Sequence, residues 1–277
     1  MLIQLSILLL FTLRSFTIPS VAWAQSSPVR TETNWSISND RQLDGVVALA
    51  LHNQQGAHCS GTLISPRIVL TARHCLEKPI ADQTSDRMLV HGGPSSRREI
   101  RKVQRVLTEN APARPTPMED IVQYGVDQQA QVDFAILILE RAFEKIQPLD
   151  LIPDSFLTEE LNGFPLRAVG YPGESEVIAR DGRPEPLISK NNCQITSTDD
   201  LQLAIATTCP LEIGNSGGPL SIQLQGMPFV AGIALASETF DENTSLQPIG
   251  HYSNLLNKDL RNRIESLLHV LDEKGIR

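Results

Sequence analysis

From Val46 onward the chain alternates short apolar runs with Gly, Pro, Asn and Asp. The runs are VVALAL, GTLI, RIVLTA, RMLV, IRKVQRVL, FAILIL, LRAVG, LQLAIATT, PLSIQL and FVAGIALA. Each is four to eight residues long and rich in Val, Ile and Leu. Such side chains suit a pleated strand, and runs this short between turn residues predict an all-β domain of many short strands. The stretch from Glu109 to Asp127 holds Pro112, Pro115 and Pro117 and little periodicity, which predicts a surface loop. The basic run Arg97 to Arg105 mixes charges with apolar residues. It predicts a half-buried strand with a solvated basic face.

The period changes at the C-terminus. Leu256, Leu260, Ile264, Leu267 and Leu271 are spaced by four, four, three and four, one stripe on a helix. The helix is predicted over 255–273, packed on the β domain, with Gly275 as a candidate cap. The N-terminus has its own texture. Leu2 to Leu13 is apolar, and Ala22-Trp23-Ala24 supplies the small residues of a cleavage site. Residues 1–24 are therefore read as an export signal, cut before Gln25. Arg14 breaks the run short of a membrane span. Residues 25–44 are polar and read as an extended lead or short pro-segment. The mature chain is expected to be exported, periplasmic or secreted, with no membrane attachment after cleavage.

With 277 residues, 41% hydrophobic and 20% charged, the chain can bury a sizeable core. A formal charge of −8 excludes nucleic-acid binding by bulk electrostatics. The four cysteines, Cys59, Cys75, Cys193 and Cys209, favour disulfides in an exported chain. Three pairings are open, and joining neighbours closes two short loops of similar size. Neither paired CxxC nor HExxH occurs, so no metal is expected.

Three segments carry candidate chemistry. In HCSGTLISPRIVLTARHC, residues 58–75, Ser65-Pro66 marks a turn between two β-rich runs, and the second delivers His74 beside Cys75. A disulfide from Cys75 to Cys59 would hold the backbone next to an imidazole that must be placed closely to act as a base. In QVDFAILILE, residues 131–140, Asp133 stands at the mouth of an apolar strand. A carboxylate there needs a partner, and the proton-bearing nitrogen of His74 would serve, unless Asp133 simply faces water. In LEIGNSGGPLS, residues 211–221, Ser216 sits among Gly214, Gly217 and Gly218. Glycines let amide groups turn inward, and the N–H groups of Gly214 and Ser216 could hold an oxyanion. Serine needs an adjacent base, and His74 is the candidate. The Gly-x-Ser-x-Gly spacing also fits a strand-to-helix nucleophile elbow, but Pro219 and LSIQL follow, which read as strand.

With CSGTLISPRIVLTARHC, DFAILIL and GNSGGPL in that order, the chain resembles the trypsin-like serine endopeptidases of the chymotrypsin fold. The resemblance covers most of the chain after Val46. It implies two antiparallel six-stranded β-barrels, about 45–150 and 151–254, within one peptidase domain over 45–277 that the C-terminal helix completes. It implies His74 as general base, Asp133 as its orienting partner, Ser216 as nucleophile and Gly214 as second oxyanion donor. It implies a Cys59–Cys75 bridge beside the histidine, while a Cys193–Cys209 bridge matches the animal enzymes less well. The function implied is endopeptidase, acting on proteins or peptides as a monomer without a cofactor. A catalytically silent binding scaffold and an esterase on the same frame are the alternatives.

The chain departs from the family pattern in three places. Arg73 precedes the histidine where a small residue is common, and its charge is expected to face solvent. Asn215 precedes the serine where the digestive enzymes carry an aspartate that pairs with a new N-terminal amine. A neutral Asn makes no such ion pair, and GNSGGP with GYPG looks more like bacterial members. Pro210 falls where trypsin has the aspartate of its specificity pocket, which argues against Arg or Lys preference. Ala234 to Ser237 would line the docking strand. Gly250 is expected to leave the pocket wall open to medium or large apolar side chains, and His251 is a candidate partner for Glu.

Overall fold

Neighbouring apolar runs pair antiparallel into two sheets. The computed structural model describes residues 35–37, 41–51, 57–76, 88–93, 98–108, 133–153, 155–156, 161, 163–171, 187–189, 193–198, 204–209, 211–238, 249–255, 257–273 and 275. The proposed export signal, the loop from Glu109 to Asp127 and Pro210 lie outside the described residues.

Six strands close a barrel: β2 (Val46–Leu51), β3 (Cys59–Ser65), β4 (Ile68–Thr71), β5 (Met88–Gly92), β6 (Glu99–Thr108) and β7 (Ala135–Leu139). Their order around it is β2-β3-β4-β7-β6-β5. Every residue of β7 is buried, which is why FAILIL reads as an unbroken apolar run rather than an alternating one.

The second sheet has nine strands. They are β1 (Trp35–Ile37), β8 (Asp150–Leu151), β9 (Leu166–Gly170), β10 (Leu187–Ser189), β11 (Ile195–Thr198), β12 (Ala204–Thr207), β13 (Pro219–Leu224), β14 (Met227–Glu238) and β15 (Ile249–Asn254). The order is β1-β10-β9-β13-β14-β15-β12-β11, with β8 parallel to β14. A single bridge between Leu166 and Cys193 ties the lead-in of β11 back to β9, with the Cys193 amide donating to the Leu166 carbonyl at 2.7 Å. β13 and β14 meet at a two-residue turn in which Gln225 (φ 52°) and Gly226 (φ 81°) both take left-handed conformations, as such hairpins require. The polar segment 25–44 contributes structure as well. Its Trp35–Ile37 pairs with β10, and Leu43 is buried in the core.

The helix α1 (Lys258–Glu273) starts three residues later than its periodicity suggested. Asn257 caps it, its Oδ1 accepting the Leu260 amide at 3.1 Å. Gly275 follows with φ 64°, and its amide donates to Asp272 O. Leu260, Ile264, Leu268 and Leu271 are buried in the same core as the barrel residues Leu63, Phe134 and Ile136. The helix therefore packs against the first barrel, although the chain reaches it only after the second sheet. The Leu256 and Leu267 side chains lie outside those described.

The basic run differs from its expected solvated face. Lys102, Gln104 and Arg105 are exposed, but Arg101 is only 5% exposed. Arg101 and Val103 share the inward face by ordinary alternation, and a register shift between Val103 and Arg105 accompanies the outward turn of Arg105. Arg101 pairs with Glu99, lies over the Phe143 ring and donates to the Ala142 carbonyl at 2.8 Å. The Glu99 carboxylate also accepts the Glu144 and Lys145 amides. Burial pushes the Glu99 carboxyl upward, but those amides and the Arg101 charge outweigh it and hold it below the usual carboxylate range.

Candidate active site

The pairing of β4 with β7 brings the first two candidate residues together. Thr71 lies opposite Ala135 at one end of the ladder. Because the strands are antiparallel, the chain leaving β4 and the chain arriving at β7 share that end. His74 follows on a 3₁₀ turn, Arg73–Leu76, and Asp133 precedes β7 by two residues. The His74 Nδ1 lies 2.7 Å from Asp133 Oδ2, and the His74 amide donates to Asp133 Oδ1 at 2.9 Å. Asp133 is 5% exposed, so both oxygens of a buried carboxylate are used by one residue. That settles the sequence ambiguity: Asp133 does not face water. A carboxylate on Nδ1 keeps the proton there and leaves Nε2 as the basic nitrogen.

Ser216 is held next to this turn by backbone contacts. The Ser60 amide donates to the Ser216 carbonyl at 2.8 Å, and Cys75 Sγ lies 3.5 Å from the same oxygen. Cys59 and Cys75 are joined, with Cα atoms 6.0 Å apart, and so are Cys193 and Cys209, at 4.9 Å. A His74 ring nitrogen lies within 4.8 Å of the Cys59 and Cys75 sulfurs. Those sulfurs are bonded to each other and offer no thiolate, so the trio is not a metal site. His58 donates from Nε2 to the Cys75 carbonyl at 3.2 Å and ties the turn from a third side. Burial holds the His58 imidazole below its ordinary range, against the upward pull of its backbone hydrogen bonds.

The glycine-rich loop that carries Ser216 is a chain of turns. The Asn215 amide donates to Glu212 O at 3.0 Å and the Gly218 amide to Asn215 O at 2.8 Å. Gly214 and Gly217 take φ values of 97° and 81°. At Gly217 a Cβ would run into the Ser60 carbonyl and the Ala72 amide, so glycine is needed for space as well as for φ. The loop is tied to β14 by Gly217 N–H to Ala234 O and Ala234 N–H to Gly218 O, both 2.8 Å. Among the described residues, neither the Gly214 nor the Ser216 amide has an acceptor.

Ser60 is the support that sequence reasoning missed. Its buried Oγ donates to the Gly214 carbonyl at 2.7 Å and accepts the Tyr171 amide at 2.8 Å. It thereby joins the closed barrel, β9 and the Ser216 loop through one hydroxyl. Its only sequence signal is a polar side chain in a strand that is otherwise almost wholly buried.

The remaining predicted residues divide. Arg73 is half-buried, with Nε inside the protein, rather than a side chain pointing freely to solvent; it sits in the short turn between Ala72 and Cys75, both buried. Asn215 is 1% exposed, and neither side-chain polar atom has a hydrogen-bond partner among the described residues. Ala234 is buried beside the loop, and Ser237 pairs with Gly250 across β14 and β15. The wall at Gly250 is not open. A Cβ there would lie 2.5 Å from Cys209 O and 3.1 Å from Leu211 Cγ. His251 alternates to the face of β15 opposite Gly250 and Tyr252, because this stretch pairs with β12 in unbroken register. It is therefore no partner for a glutamate in a recess at Gly250.

No curated protein matches the chain significantly. The model of the trypsin-like peptidase domain family matches residues 59–226. That span opens at the half-cystine beside Ser60, takes in the His74–Asp133 pair and the glycine-rich loop, and ends at the β13–β14 turn. It is more than half of the sequence, and on that match the chain belongs to the family of trypsin-like peptidase domains.

Proposed function

We propose that the protein is an exported serine endopeptidase that cleaves protein substrates through an acyl-enzyme. The observation that carries this reading is the buried Asp133 carboxylate bonded to both the ring and the amide of His74. A buried carboxylate directed at one imidazole is what a serine nucleophile needs behind its base. In the reaction, Ser216 Oγ bonds to the scissile carbonyl carbon while its proton passes to His74 Nε2. The carbonyl oxygen becomes an oxyanion and is held by the Gly214 and Ser216 amides, donors that typically contribute several kcal/mol. Collapse breaks the C–N bond, and His74 gives its proton to the departing amine. Water then repeats the two steps and frees Ser216. Asp133 keeps the imidazole in the useful tautomer and stabilises its cation. No cofactor takes part.

The rest of the reading follows the same frame. Residues 45–277 form one peptidase domain, with barrels over about 45–150 and 151–254; the Leu166–Cys193 bridge supports a second barrel. Two disulfides favour an oxidising compartment, and no described helix is long and apolar enough to cross a membrane. The disulfides support export after removal of residues 1–24, and the domain is proposed to act as a monomer. The GNSGGP sequence supports a place among bacterial members.

The test is labelling of the purified protein with a fluorophosphonate, followed by peptide mass spectrometry, with Ser216→Ala as control. A stoichiometric adduct on Ser216 is expected. Absence of an adduct in both full-length and trimmed protein would refute the reading and leave a binding scaffold in its place.

A further inference from the structure

The geometry points to a substrate class: we propose that Leu211 closes the far end of the acyl-side pocket, so that the enzyme cleaves after small uncharged residues, alanine, serine or valine. The inference rests on the peptidase reading above and adds the side chain that this site selects.

Consider where that side chain must go. With its carbonyl oxygen on the Gly214 and Ser216 amides, the residue sits between the nucleophile loop and β14, which the Gly217–Ala234 hydrogen bond holds side by side. From Ala234, β14 runs on to Ser237, and Ser237 pairs with Gly250 on β15. The floor of the recess is therefore Gly250. This glycine is not among those with positive φ, so it is present for space and not for conformation. Yet the space is already taken. A Cβ at Gly250 would meet Cys209 O at 2.5 Å, Leu211 Cγ at 3.1 Å and Tyr252 Cε2 at 3.2 Å.

Leu211 is the occupant that matters. It packs against the second core, remains half-buried, and holds its Cγ 3.1 Å from where a Cβ at Gly250 would stand. The wall behind it cannot retreat easily. Cys209 is fully buried, bonded to Cys193, and its amide donates to Thr207 Oγ1 at 3.0 Å. Thr207 in turn pairs with Gly250. A leucine or phenylalanine side chain entering the recess would overlap Leu211, and packed walls resist such insertion. Leu211, Ala234, Gly250 and Tyr252 carry no ionised group to receive arginine, lysine or glutamate, and His251 lies on the other face of its strand. A small neutral side chain meets none of these penalties.

The full-length protein, matured as it is produced, would be given a peptide library with a mass-spectrometric readout of cleavage sites. Fluorophosphonate titration of the same sample would run in parallel. Expected is a labelled Ser216 with kcat/KM at least tenfold higher after alanine, serine or valine than after leucine or phenylalanine, the discrimination that one or two excess methylenes provide. In Leu211→Gly, the ratio should shift toward leucine and phenylalanine by about 10- to 100-fold. A labelled enzyme that cleaves after large apolar, basic or acidic residues would overturn the inference and leave the peptidase reading intact. An unlabelled Ser216 would remove both. The wild-type library decides the matter even where the glycine variant fails to fold.

Discussion

Ser60→Ala separates the support of the nucleophile loop from its chemistry. The hydroxyl touches no substrate. It is fully buried, donates to Gly214 O at 2.7 Å and accepts Tyr171 N–H at 2.8 Å. Removing it leaves two buried backbone groups unsatisfied, one on each side. An orphaned buried donor or acceptor costs about 1–3 kcal/mol, so a stability loss of about 2–6 kcal/mol is expected for the pair. The catalytic effect has a separate origin. Gly214 O belongs to the peptide that follows the proposed oxyanion donor, and with φ 97° that residue has alternatives open to it once the anchor is gone. Full loss of one oxyanion donor lowers kcat by about 10²–10³, and a loosened donor should lose less, about 10- to 100-fold. KM should move little, because ground-state contacts are unchanged. Urea unfolding followed by circular dichroism reads the first quantity. Steady-state kinetics on an ester substrate, normalised by active-site titration, read the second. If Ser60→Ala kept kcat within twofold and stability within about 0.5 kcal/mol, the hydroxyl would have no part in holding the loop.

Three further predictions concern Asp133, His58 and Glu99. Asp133→Asn should fold normally but lower kcat by about 10⁴, because an amide donates to Nδ1 and forces the proton onto Nε2, where it blocks the base; steady-state kinetics showing less than a tenfold loss would contradict the assigned role. Stability should fall in mild acid through His58. Its folded imidazole resists protonation, so below the unfolded value of 6.5 the unfolded chain binds the extra proton and stability declines, by at most about 1.4 kcal/mol per pH unit. Glu99 adds a loss of the same sign below about 4.5, since its carboxylate is favoured in the fold and must be neutralised. Urea titrations of His58→Gln between pH 8 and 5 should show a shallower slope than wild type; an identical slope would rule His58 out.

The three residues proposed for the triad stand out in the sequence because each lies in a short local signature. His74 ends a β-rich run beside a cysteine, Asp133 opens an apolar one, and Ser216 lies among glycines. Strand texture and the C-terminal helix were legible for the same reason, since short apolar runs between turn residues and a 3.6-residue period are local properties. The contacts that hold the site are not local. Ser60 reaches a carbonyl 154 positions away, and a single sequence carries no mark of that contact. Arg101 was misjudged because it shares the inward face of β6 with Val103, where Glu99 and the Phe143 ring receive its charge, and a run of mixed charges carries no mark of those contacts.

The pocket shows how a correct local observation can mislead. Gly250 does lack a side chain, which suggested room for a large substrate residue. A missing Cβ makes room only where nothing else fills it, and here Leu211 approaches from a segment 39 positions earlier, behind the Cys193–Cys209 bridge. Glycine at 250 is then a consequence of crowding and not a provision for substrate. The same logic bears on Asn215. Its side-chain amide is buried with no hydrogen-bond partner among the described residues, a position that costs about 1–3 kcal/mol. A carboxylate there would carry a full charge into the same surroundings and would require a cation, whereas a neutral amide does not. Asparagine at 215 therefore fits the proposal that the oxyanion loop is held by hydrogen bonds from Ser60 and β14 and not by an ion pair.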